Sequence, residues 1–377
     1  MARKLFIFAF VVLLLAIFVP TTAEGQGPPP FVHVCPGPAG PGTTRCHSIT
    51  RPQASTSPSG LSPAMVKSAY NFSTSLTAGT GTTIAIVDAY DDPTAESDLN
   101  VFSSQFGLPA CTTANGCFAK VNQTGGTKYP RANAGWALEI SLDVQWAHAI
   151  APGAKILLVE ANSNRFADLL AAEDYAAAHA NYVSNSWGGS EFSGESSYDS
   201  HFSRSGVSFF VSSGDAGLPA EYPSASPNVI SVGGTTLHFN SGTFTNETGW
   251  GGSGGGCSGY ETATSAQSGF NQYAQVNCGG KRATPDVSLD ADPSSGVSVY
   301  DSTRYSGQKG WFVVGGTSAS SPMWAARAAV ANAVVNASYV YGNNITYRDI
   351  TSGNNGASCQ VGFDLVTGRG SWTGLTP

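Results

Sequence analysis

Strand-like and helix-like segments alternate along most of this 377-residue chain, and this alternation restricts the possible folds more than any other feature. Short apolar, β-branched runs predict strands, and the longer patterns between them predict helices. The predicted strands are Thr83–Val87, Lys155–Glu160, Tyr182–Ser186, Val207–Ser212, Asn228–Gly233 and Trp311–Val314, and the predicted helices are Ala95–Phe106, Gly135–Ile150, Phe166–Ala180 and Ser318 to about Asn332. Such alternation is typical of a parallel sheet with helices on both faces. We therefore expect an α/β fold with a single domain over residues 61–377.

The composition is compatible with a folded protein and excludes one class of partner. Hydrophobic residues make up 41% of the chain, which is enough for one large α/β core. Charged residues make up only 11%, and the formal net charge is −7. Neither charge-driven disorder nor a nucleic-acid partner is therefore expected.

The first sixty residues precede the predicted domain and fall into two parts. Arg3 and Lys4 are followed by the apolar run Leu5–Val19 and then by small residues up to Ala23, which predicts a signal peptide over residues 1–23. The alternative is an uncleaved membrane anchor, but the run is shorter than the ~20 apolar residues that usually span a bilayer. We expect a secreted protein without a membrane anchor after cleavage. Residues 24–60 are rich in Pro, Gly and Ser and predict a linker, with order beginning near Leu61.

Seven cysteines are consistent with export, because disulfides form in oxidising compartments. They are Cys35, Cys46, Cys111, Cys117, Cys257, Cys278 and Cys359. Short loops favour the pairs Cys35–Cys46 and Cys111–Cys117, with Cys257–Cys278 as the next candidate and Cys359 left over. Sequence does not establish the connectivity, and an odd thiol could also pair between chains. No CxxC pair occurs, so we do not expect these cysteines to bind a metal.

The segment Gly315–Pro322 carries the strongest local signal for chemistry. An apolar strand ends in two glycines, and Ser318 opens the helix that follows. Glycine permits a sharp turn, and the helix N-terminus places amide dipoles beside the serine oxygen, as a nucleophile requires. The alternative is an ordinary N-cap serine.

A serine nucleophile needs a base, which is most often a histidine. The histidines of this chain do not lie in the motif that a Ser-His-Asp triad requires. None of the six lies in a His-Gly-Thr context, and Asp88-Ala89-Tyr90 follows the first strand where an Asp-Ser/Thr-Gly segment would be needed. The helix Gly135–Ile150 offers a substitute, because Glu139 and Asp143 lie four residues apart on one face among apolar neighbours. Two such buried acids would titrate as a coupled pair. The alternative is a solvated acidic stripe.

Asp215 is a third candidate, because Val211–Gly217 continues from an apolar strand to the edge of the sheet where sites in α/β proteins form. A protonated aspartic acid there could donate a hydrogen bond to an oxyanion. The alternative is an aspartate in an ordinary glycine-rich turn.

Taken together, these motifs resemble the sedolisin family of serine-carboxyl peptidases, which have a subtilisin-like fold, over about residues 62–370. The matching motifs are Glu139-x-x-x-Asp143, Ser184-Asn185-Ser186-Trp187-Gly188, Ser213-Gly214-Asp215-x-Gly217, Gly255-Gly256-Cys257-Ser258, Pro285-Asp286-Val287 with Ala291-Asp292-Pro293, and Gly316-Thr317-Ser318-Ala319-Ser320. The resemblance implies Ser318 as nucleophile and Glu139 as base. It further implies Asp143 as the partner of the base and Asp215 as the oxyanion donor.

The family also implies one structural calcium ion near the carboxyl end. Its expected ligands are Asp349 and Asp364 through their side chains, with backbone oxygens of Ile350, Gln360 and Gly362. The alternative is a pair of loop aspartates without an ion. Family members are typically made with a long folded pro-domain, and the roughly forty residues between the predicted signal and core are not expected to be one.

We expect a monomeric endopeptidase that cuts protein or peptide substrates through an acyl-enzyme, and that acts in acid because Asp215 must be protonated. We expect an extended substrate beside Ser184, Ser186, Trp187 and Gly188, with no further segment blocking the cleft. Four alternatives remain: an inactive secreted binding relative, an amino-terminal exopeptidase of the same family, a histidine-dependent subtilisin, and a structural or adhesive protein.

Overall fold

A ten-stranded, mostly parallel sheet lies at the centre of the protein in a computed structural model that describes residues 31–374. In chain order the strands are β1 Val32–His33, β2 Arg45–Cys46, β3 Ile49–Thr50, β4 Thr83–Ala89, β5 Phe118–Asn122, β6 Lys155–Ala161, β7 Tyr182–Asn185, β8 Trp187–Ser190, β9 Ser208–Ser212, β10 Glu221–Tyr222, β11 Ile230–Asn240, β12 Thr243–Gly249, β13 Gly256–Thr262, β14 Lys281–Thr284, β15 Val287–Asp290, β16 Val297–Tyr305, β17 Gln308–Gly315, β18 Tyr347–Arg348 and β19 Ser371–Trp372. The α-helices are α1 Pro63–Tyr70, α2 Ala95–Phe106, α3 Ala134–Ile150, α4 Phe166–His179, α5 Ser265–Ser268, α6 Thr317–Ala331 and α7 Ala337–Tyr341, and short 3-10 helices cover Glu195–Phe202, Tyr273–Val276 and Pro293–Ser295.

The central sheet has the strand order β18-β19-β15-β11-β9-β7-β4-β6-β5, and β12 pairs with β11 outside this path. Every pair from β19 to β5 is parallel, whereas β18 and β12 are antiparallel to their neighbours. The carboxyl ends of β4, β7 and β9 therefore meet at one edge, where sites of α/β sheets form. The α/β fold expected from the alternation of segments is confirmed.

Most predicted boundaries differ from the structure by one or two residues. The helix Ala95–Phe106 begins and ends as predicted, whereas the strand predicted at Asn228–Gly233 is β11, Ile230–Asn240. This strand is longer because its second half pairs with the antiparallel strand β12, a contact that local sequence does not announce.

Helix α3 is buried on all sides rather than on one face. Every residue from Trp136 to Ile150 is buried, and the helix packs against α2, α6 and β16. Its N-terminus is capped by Asn133, whose side-chain oxygen accepts hydrogen bonds from the Gly135 and Trp136 amides. A helix covered on every side places its polar residues in the core. The alternative of a solvated acidic stripe is therefore wrong.

Order begins before Leu61, contrary to the expectation for residues 24–60. Residues 31–60 belong to the same compact unit as the rest of the described chain and contribute β1, β2 and β3. These strands have only two residues each, so they carry no periodic pattern, and β2 and β3 pair with strands far along the chain, β8 and β17. The predicted signal peptide, residues 1–23, lies outside the described residues.

Three disulfides join the predicted pairs, Cys35–Cys46, Cys111–Cys117 and Cys257–Cys278, and Cys359 is free. The predicted pairing is confirmed. Within residues 31–374, no helix is both long enough and apolar enough to cross a membrane.

Candidate active site

The Glu139 and Asp143 carboxyl groups lie in the core, one helical turn apart on α3. Both side chains are fully buried. Burial raises the pKa of Glu139 to about 8, although the Ser318 and Ser48 hydroxyls that face it lower the pKa. Neither Glu139 oxygen forms a hydrogen bond of normal geometry with any of the described residues, so the two hydroxyls lie near the carboxyl group without being tightly bonded to it. Burial, together with repulsion from Glu139, raises the pKa of Asp143 well above its ordinary value.

Asp88 completes this acidic cluster and was not among the predicted site residues. It lies near the end of β4, which is paired with β6 on one side and β7 on the other. Its fully buried carboxyl group has a raised pKa, first because of burial and then because Asp143 and Glu139 are near. Its position at the carboxyl end of the first parallel strand was the signal that could have identified it.

Ser318 lies in the first turn of α6, which begins directly after the glycines that end β17. Gly316 has a φ of +93°, and a Cβ atom there would lie 2.1 Å from the carbonyl oxygen of His47. Only glycine therefore permits this approach. The Ser318 amide donates a hydrogen bond to the same His47 carbonyl oxygen at 3.1 Å, and the Ser318 hydroxyl lies 3.4 Å from the Ser186 carbonyl oxygen.

Asp215 approaches the same point from the loop after β9. Its Oδ1 atom accepts hydrogen bonds from the Thr317 amide at 2.7 Å and the Thr317 hydroxyl at 3.0 Å. Its Oδ2 atom is buried without a hydrogen-bond partner among the described residues and would lie 2.9 Å from a Cβ atom on Gly316. Burial raises the pKa of Asp215 to about 6. The free oxygen and the His47 carbonyl thus line the same small space.

A segment of the chain itself lies in the cleft in front of Ser318, which overturns the expectation that the cleft is unobstructed. Strand β2 pairs antiparallel with β8, Arg45 opposite Gly188 and Cys46 opposite Trp187. The His47 amide then donates to the Ser186 carbonyl oxygen at 3.0 Å.

The opposite edge of this segment is also held. The Thr44 amide donates to the Asn164 carbonyl oxygen at 2.8 Å, and the Asn164 side-chain amide donates to the Thr44 carbonyl oxygen at 2.5 Å. Beyond the His47 carbonyl, Ile49 pairs with Gly315 in β17. Residues 43–50, which we call the cleft segment, therefore pass Ser318 in extended conformation and are anchored on both sides of it.

The side chain of His47 fills a polar pocket beside the cleft. Its Nδ1 atom lies 2.7 Å from the Ser212 hydroxyl, and its Nε2 atom lies 3.0 Å from Oε2 of Glu221. Burial alone would lower the pKa of His47, but the Glu221 carboxylate more than offsets it and the pKa is raised. Burial likewise opposes ionisation of Glu221, yet the pKa of Glu221 is lowered because His47 faces it. The ring is thus engaged by Ser212 and Glu221, and no histidine bonds the Ser318 hydroxyl among residues 31–374.

The residues predicted to bind substrate separate into two groups. The backbone of Ser186, Trp187 and Gly188 lies along the cleft segment. Ser184 is paired on both sides within the central sheet, and its hydroxyl lies 3.0 Å from that of Ser321 in α6. It therefore does not lie at the free edge that the other three residues form.

The residues predicted to bind calcium lie in two neighbouring loops. The Gly362 amide donates to both carboxylate oxygens of Asp349, at 3.0 and 3.1 Å. Asp364 is buried, and the Gln360 amide donates to its Oδ2 atom at 3.1 Å. Ile350 is also buried. Carboxylate oxygens are hard ligands of the kind that Ca²⁺ prefers, and in this structure both carboxylates accept hydrogen bonds from backbone amides.

Comparison with known proteins gives a consistent family assignment. The family model described as the subtilase family matches residues 126–351. The chain is 30% identical over 366 residues to kumamolisin from Bacillus sp. (strain MN-32), with 85% of this chain and 63% of that protein covered. It is 29% identical over 380 residues to xanthomonalisin from Xanthomonas sp. (strain T-22), with 79% of this chain and 43% of that protein covered. The chain thus spans less than two thirds of the length of these relatives.

A solved structure agrees with these sequence relatives. Pseudomonas sedolisin, described as a serine-carboxyl proteinase complexed with two molecules of pseudo-iodotyrostatin, matches with a TM-score of 0.69 and 28% identity. The match covers 84% of this chain and 96% of that one. The chain belongs to the subtilase family and, within it, to the sedolisin family.

Proposed function

We propose that this protein is a serine-type endopeptidase that hydrolyses peptide bonds in acid. Ser318 is the nucleophile, Glu139 is the base, and Asp143 is the partner of Glu139. Asp215 donates the hydrogen bond that stabilises the oxyanion. The substrates are proteins or peptides that bind in extended conformation along β8.

One observation carries this proposal: a backbone carbonyl group already lies where a scissile carbonyl must bind. The His47 oxygen accepts from the Ser318 amide at 3.1 Å, a distance suited to an oxyanion donor. The buried Oδ2 atom of Asp215 lines the same space. An amide and a protonated carboxyl group would together hold the negative charge that develops on this oxygen.

The steps follow from these positions. The Ser318 hydroxyl attacks the carbonyl carbon while Glu139 takes its proton. Glu139 then gives that proton to the leaving amine, and water hydrolyses the ester in the reverse order. Asp215 must be protonated throughout, because a carboxylate would repel the oxyanion. Its pKa of about 6 therefore favours activity below that pH.

The two acids on α3 differ in how readily they ionise. The Ser318 and Ser48 hydroxyls and the His47 charge oppose the effect of burial at Glu139, whereas Asp143 feels repulsion from Glu139 in addition to burial. Glu139 therefore loses its proton first, and Asp143 keeps the one they share. Because burial is the main cause of the shift at Glu139, water entering an open cleft would lower this pKa towards the acid range.

The cleft favours internal cleavage rather than removal of residues from an amino terminus. The cleft segment is held over residues 43–47 before the His47 carbonyl and at Ile49 after it. A cleft with binding positions on both sides of Ser318 accepts a continuous chain, which is what an endopeptidase requires.

We also propose that the protein is exported and holds one structural Ca²⁺. The three disulfides and the predicted signal peptide support export. Asp349 and Asp364 would hold the ion through their carboxylates, together with backbone oxygens of Ile350, Gln360 and Gly362. The ion would fix the carboxyl-terminal loops and takes no part in the proposed steps.

The test is cleavage of an unfolded protein by the full chain between about pH 3 and pH 8. We expect activity in acid that Ser318→Ala and Glu139→Gln each reduce by on the order of 10²–10⁴ or more. Ser338→Ala, in an exposed position on α7, is the matched control and should retain wild-type activity. Activity that survives Ser318→Ala, or that requires His47 in place of Glu139, would contradict the proposal.

A further inference from the structure

We propose that Thr317 is a positioning residue for the proposed reaction. It holds one oxygen of Asp215, so that the acid proton lies on the other oxygen, and its hydroxyl sets the upper pH limit of activity. The inference rests on the proposed peptidase function. It adds to that function a residue that acts through Asp215 rather than on the substrate.

Thr317 is fully buried and meets Asp215 with two hydrogen-bond donors. Its amide and its hydroxyl both contact the same Asp215 oxygen, Oδ1, at 2.7 and 3.0 Å. The amide belongs to the first residue of α6, where helix geometry leaves N–H groups without an intrahelical partner. One oxygen of Asp215 therefore receives both donors, while Oδ2 has no hydrogen-bond partner among residues 31–374.

This asymmetry decides which oxygen carries the proton when Asp215 is neutral. An oxygen that faces two donors must act as an acceptor, because a proton on it would point at another proton. The proton therefore lies on Oδ2, which lines the same space as the His47 carbonyl oxygen. Thr317 thus keeps the acidic O–H of Asp215 on the side of the proposed oxyanion.

The Thr317 side chain is itself fixed by its neighbours. Its Oγ1 atom accepts a hydrogen bond from the Gly214 amide at 3.1 Å and lies 3.1 Å from the Gly214 carbonyl oxygen, which also accepts from the Gly254 amide. The methyl carbon of Thr317 faces β11, where a Cβ atom on Gly234 would lie 3.5 Å from it. Because both branches have a defined neighbour, the β-branched side chain is held in one rotamer.

The hydroxyl also affects how readily Asp215 ionises. A carboxylate accepts a hydrogen bond more strongly than a neutral acid does, so a donor at Oδ1 favours the ionised form. Burial is the largest influence and raises the pKa of Asp215 to about 6, and the Thr317 amide and hydroxyl oppose this increase. Removing the hydroxyl should therefore raise the pKa further, and the protonated donor should persist to higher pH.

Charged groups on three other elements also face Asp215. His47 and Arg45 of the cleft segment lower the pKa of Asp215, and Asp215 in turn raises the pKa of Glu139 on α3. Glu221 of β10 lies beside the glycine that precedes Asp215. None of these groups changes when the hydroxyl is removed, so a comparison of variants isolates its effect.

The first experiment measures the ionisation of Asp215 directly in the Ser318→Ala background. Aspartate carboxyl carbons are labelled with carbon-13, and the Asp215 resonance is the one that Asp215→Asn removes. We expect Thr317→Val to raise the titration midpoint by about 0.5–1 pH unit and Thr317→Ser to leave it nearly unchanged. An unchanged or lower midpoint in Thr317→Val would overturn the inference.

The second experiment measures cleavage of an unfolded protein by the full chain across the pH range. Thr317→Val should lower kcat/KM at its optimum by about 5- to 20-fold, because Asp215 is less well oriented, and should move the alkaline limb upward by about 0.5–1 pH unit. Thr317→Ser keeps the hydroxyl and should restore both values. Thr127→Val, in an exposed position, is the matched control and should equal the wild type. If Thr317→Ser behaves like Thr317→Val, the hydroxyl is not responsible and the inference is overturned.

Replacing Asp215 as well separates failure of this inference from failure of the proposed function. Asparagine does not titrate, so Thr317→Val should cause no pH shift in an Asp215→Asn background, and a shift that persists there would overturn the inference. An alkaline limb that Asp215→Asn removes and Thr317→Val leaves in place overturns the inference alone. A limb that survives Asp215→Asn overturns the proposed role of Asp215 as well.

The folded state of each variant is checked by its unfolding temperature. If Thr317→Val does not fold, Thr317→Ala replaces it, because alanine also lacks the hydroxyl and fits within the space of threonine. Failure of both variants to fold would mean that Thr317 has a purely structural role and would overturn the inference.

Discussion

Two sets of residues meet at Ser318 from opposite sides, and they differ in whether their polar groups are hydrogen-bonded. Behind Ser318 lie the buried carboxyl groups of Asp88, Glu139 and Asp143, none of which has a hydrogen-bond partner of full geometry in residues 31–374. In front lies the cleft segment, whose backbone is bonded along both edges. Unpartnered buried acids cost stability, whereas paired backbone contributes it. The acidic cluster therefore costs stability, which the proposed catalytic role accounts for. The cleft segment is held in place by its own backbone hydrogen bonds.

The largest expected effect tests the acidic cluster. Glu139→Gln should reduce peptide hydrolysis by about 10²–10⁴ because the base is lost. It should also raise the thermal unfolding temperature at neutral pH. The unfolded chain ionises Glu139 above its ordinary pKa of 4.5, whereas burial raises the pKa in the folded protein to about 8, so the stability that the protonated form contributes is lost as pH rises from about 4.5 to about 8. Glutamine never ionises. The check measures the activity and the unfolding temperature of the wild type and of Glu139→Gln at about pH 4 and pH 8. If the variant and the wild type unfold at the same temperature at both pH values, the stability argument is contradicted.

The next effect separates Asp215 from the rest of the acidic groups. Asp215→Asn keeps a hydrogen-bond donor at all pH values, whereas the wild-type donor is lost as pH rises through its pKa of about 6. The ratio of variant to wild-type rate should therefore rise by roughly 50-fold between about pH 6 and pH 8. Burial, the main cause of the pKa shift at Glu139, acts in both proteins, so the ratio reports mainly the ionisation of Asp215. A ratio independent of pH would mean that Asp215 does not serve as a protonated donor.

A smaller effect tests the cleft segment, and two disulfides provide a matched comparison. Removing Cys35–Cys46 or Cys111–Cys117 by paired Cys→Ser changes should each cost about 2–3 kcal/mol, because both closed loops are short and the cost depends only weakly on loop length. Only the first removal should speed hydrogen exchange at the amides of residues 43–47, since that disulfide closes the loop leading into the segment. Equal exchange in both variants would mean that the disulfide does not hold the segment.

The smallest effect concerns the two loops that carry Asp349 and Asp364, for which we propose a Ca²⁺ ion. A Cβ atom on Gly217, two residues after Asp215, would lie 2.3 Å from the Asn355 carbonyl, so these loops pack against the Asp215 turn. An ion at about 100 times its Kd adds about 2.7 kcal/mol, and chelation should lower the unfolding temperature by about 5 °C. Asp364→Asn should abolish this response, whereas Asp174→Asn at an exposed position should not. No response in the wild type would exclude the site.

Two of the three buried acids behind Ser318 could be predicted from local sequence. The spacing of Glu139 and Asp143 within an apolar helical pattern predicted two buried acids on one face, because helical geometry is local. Asp88 was missed because its partners come from a separate helix, and they become neighbours only when β4 enters the sheet between β6 and β7. The cleft segment could not be predicted either, because its two strands have only two residues each and show no periodicity. Both strands are stabilised by partners far along the chain.

By itself, the sequence determined the alternation of strands and helices and the motifs around Ser318, Glu139 and Asp215, and its short loops favoured the disulfide pairs that the structure contains. Each of these depends on residues that are near one another in the chain. Only the tertiary structure decided that His47 lies at Ser318 and that Glu221 faces its ring, because 271 residues separate His47 from Ser318 and strand pairing brings them together. Contacts of that range depend on the packing of the whole sheet, which no local pattern records.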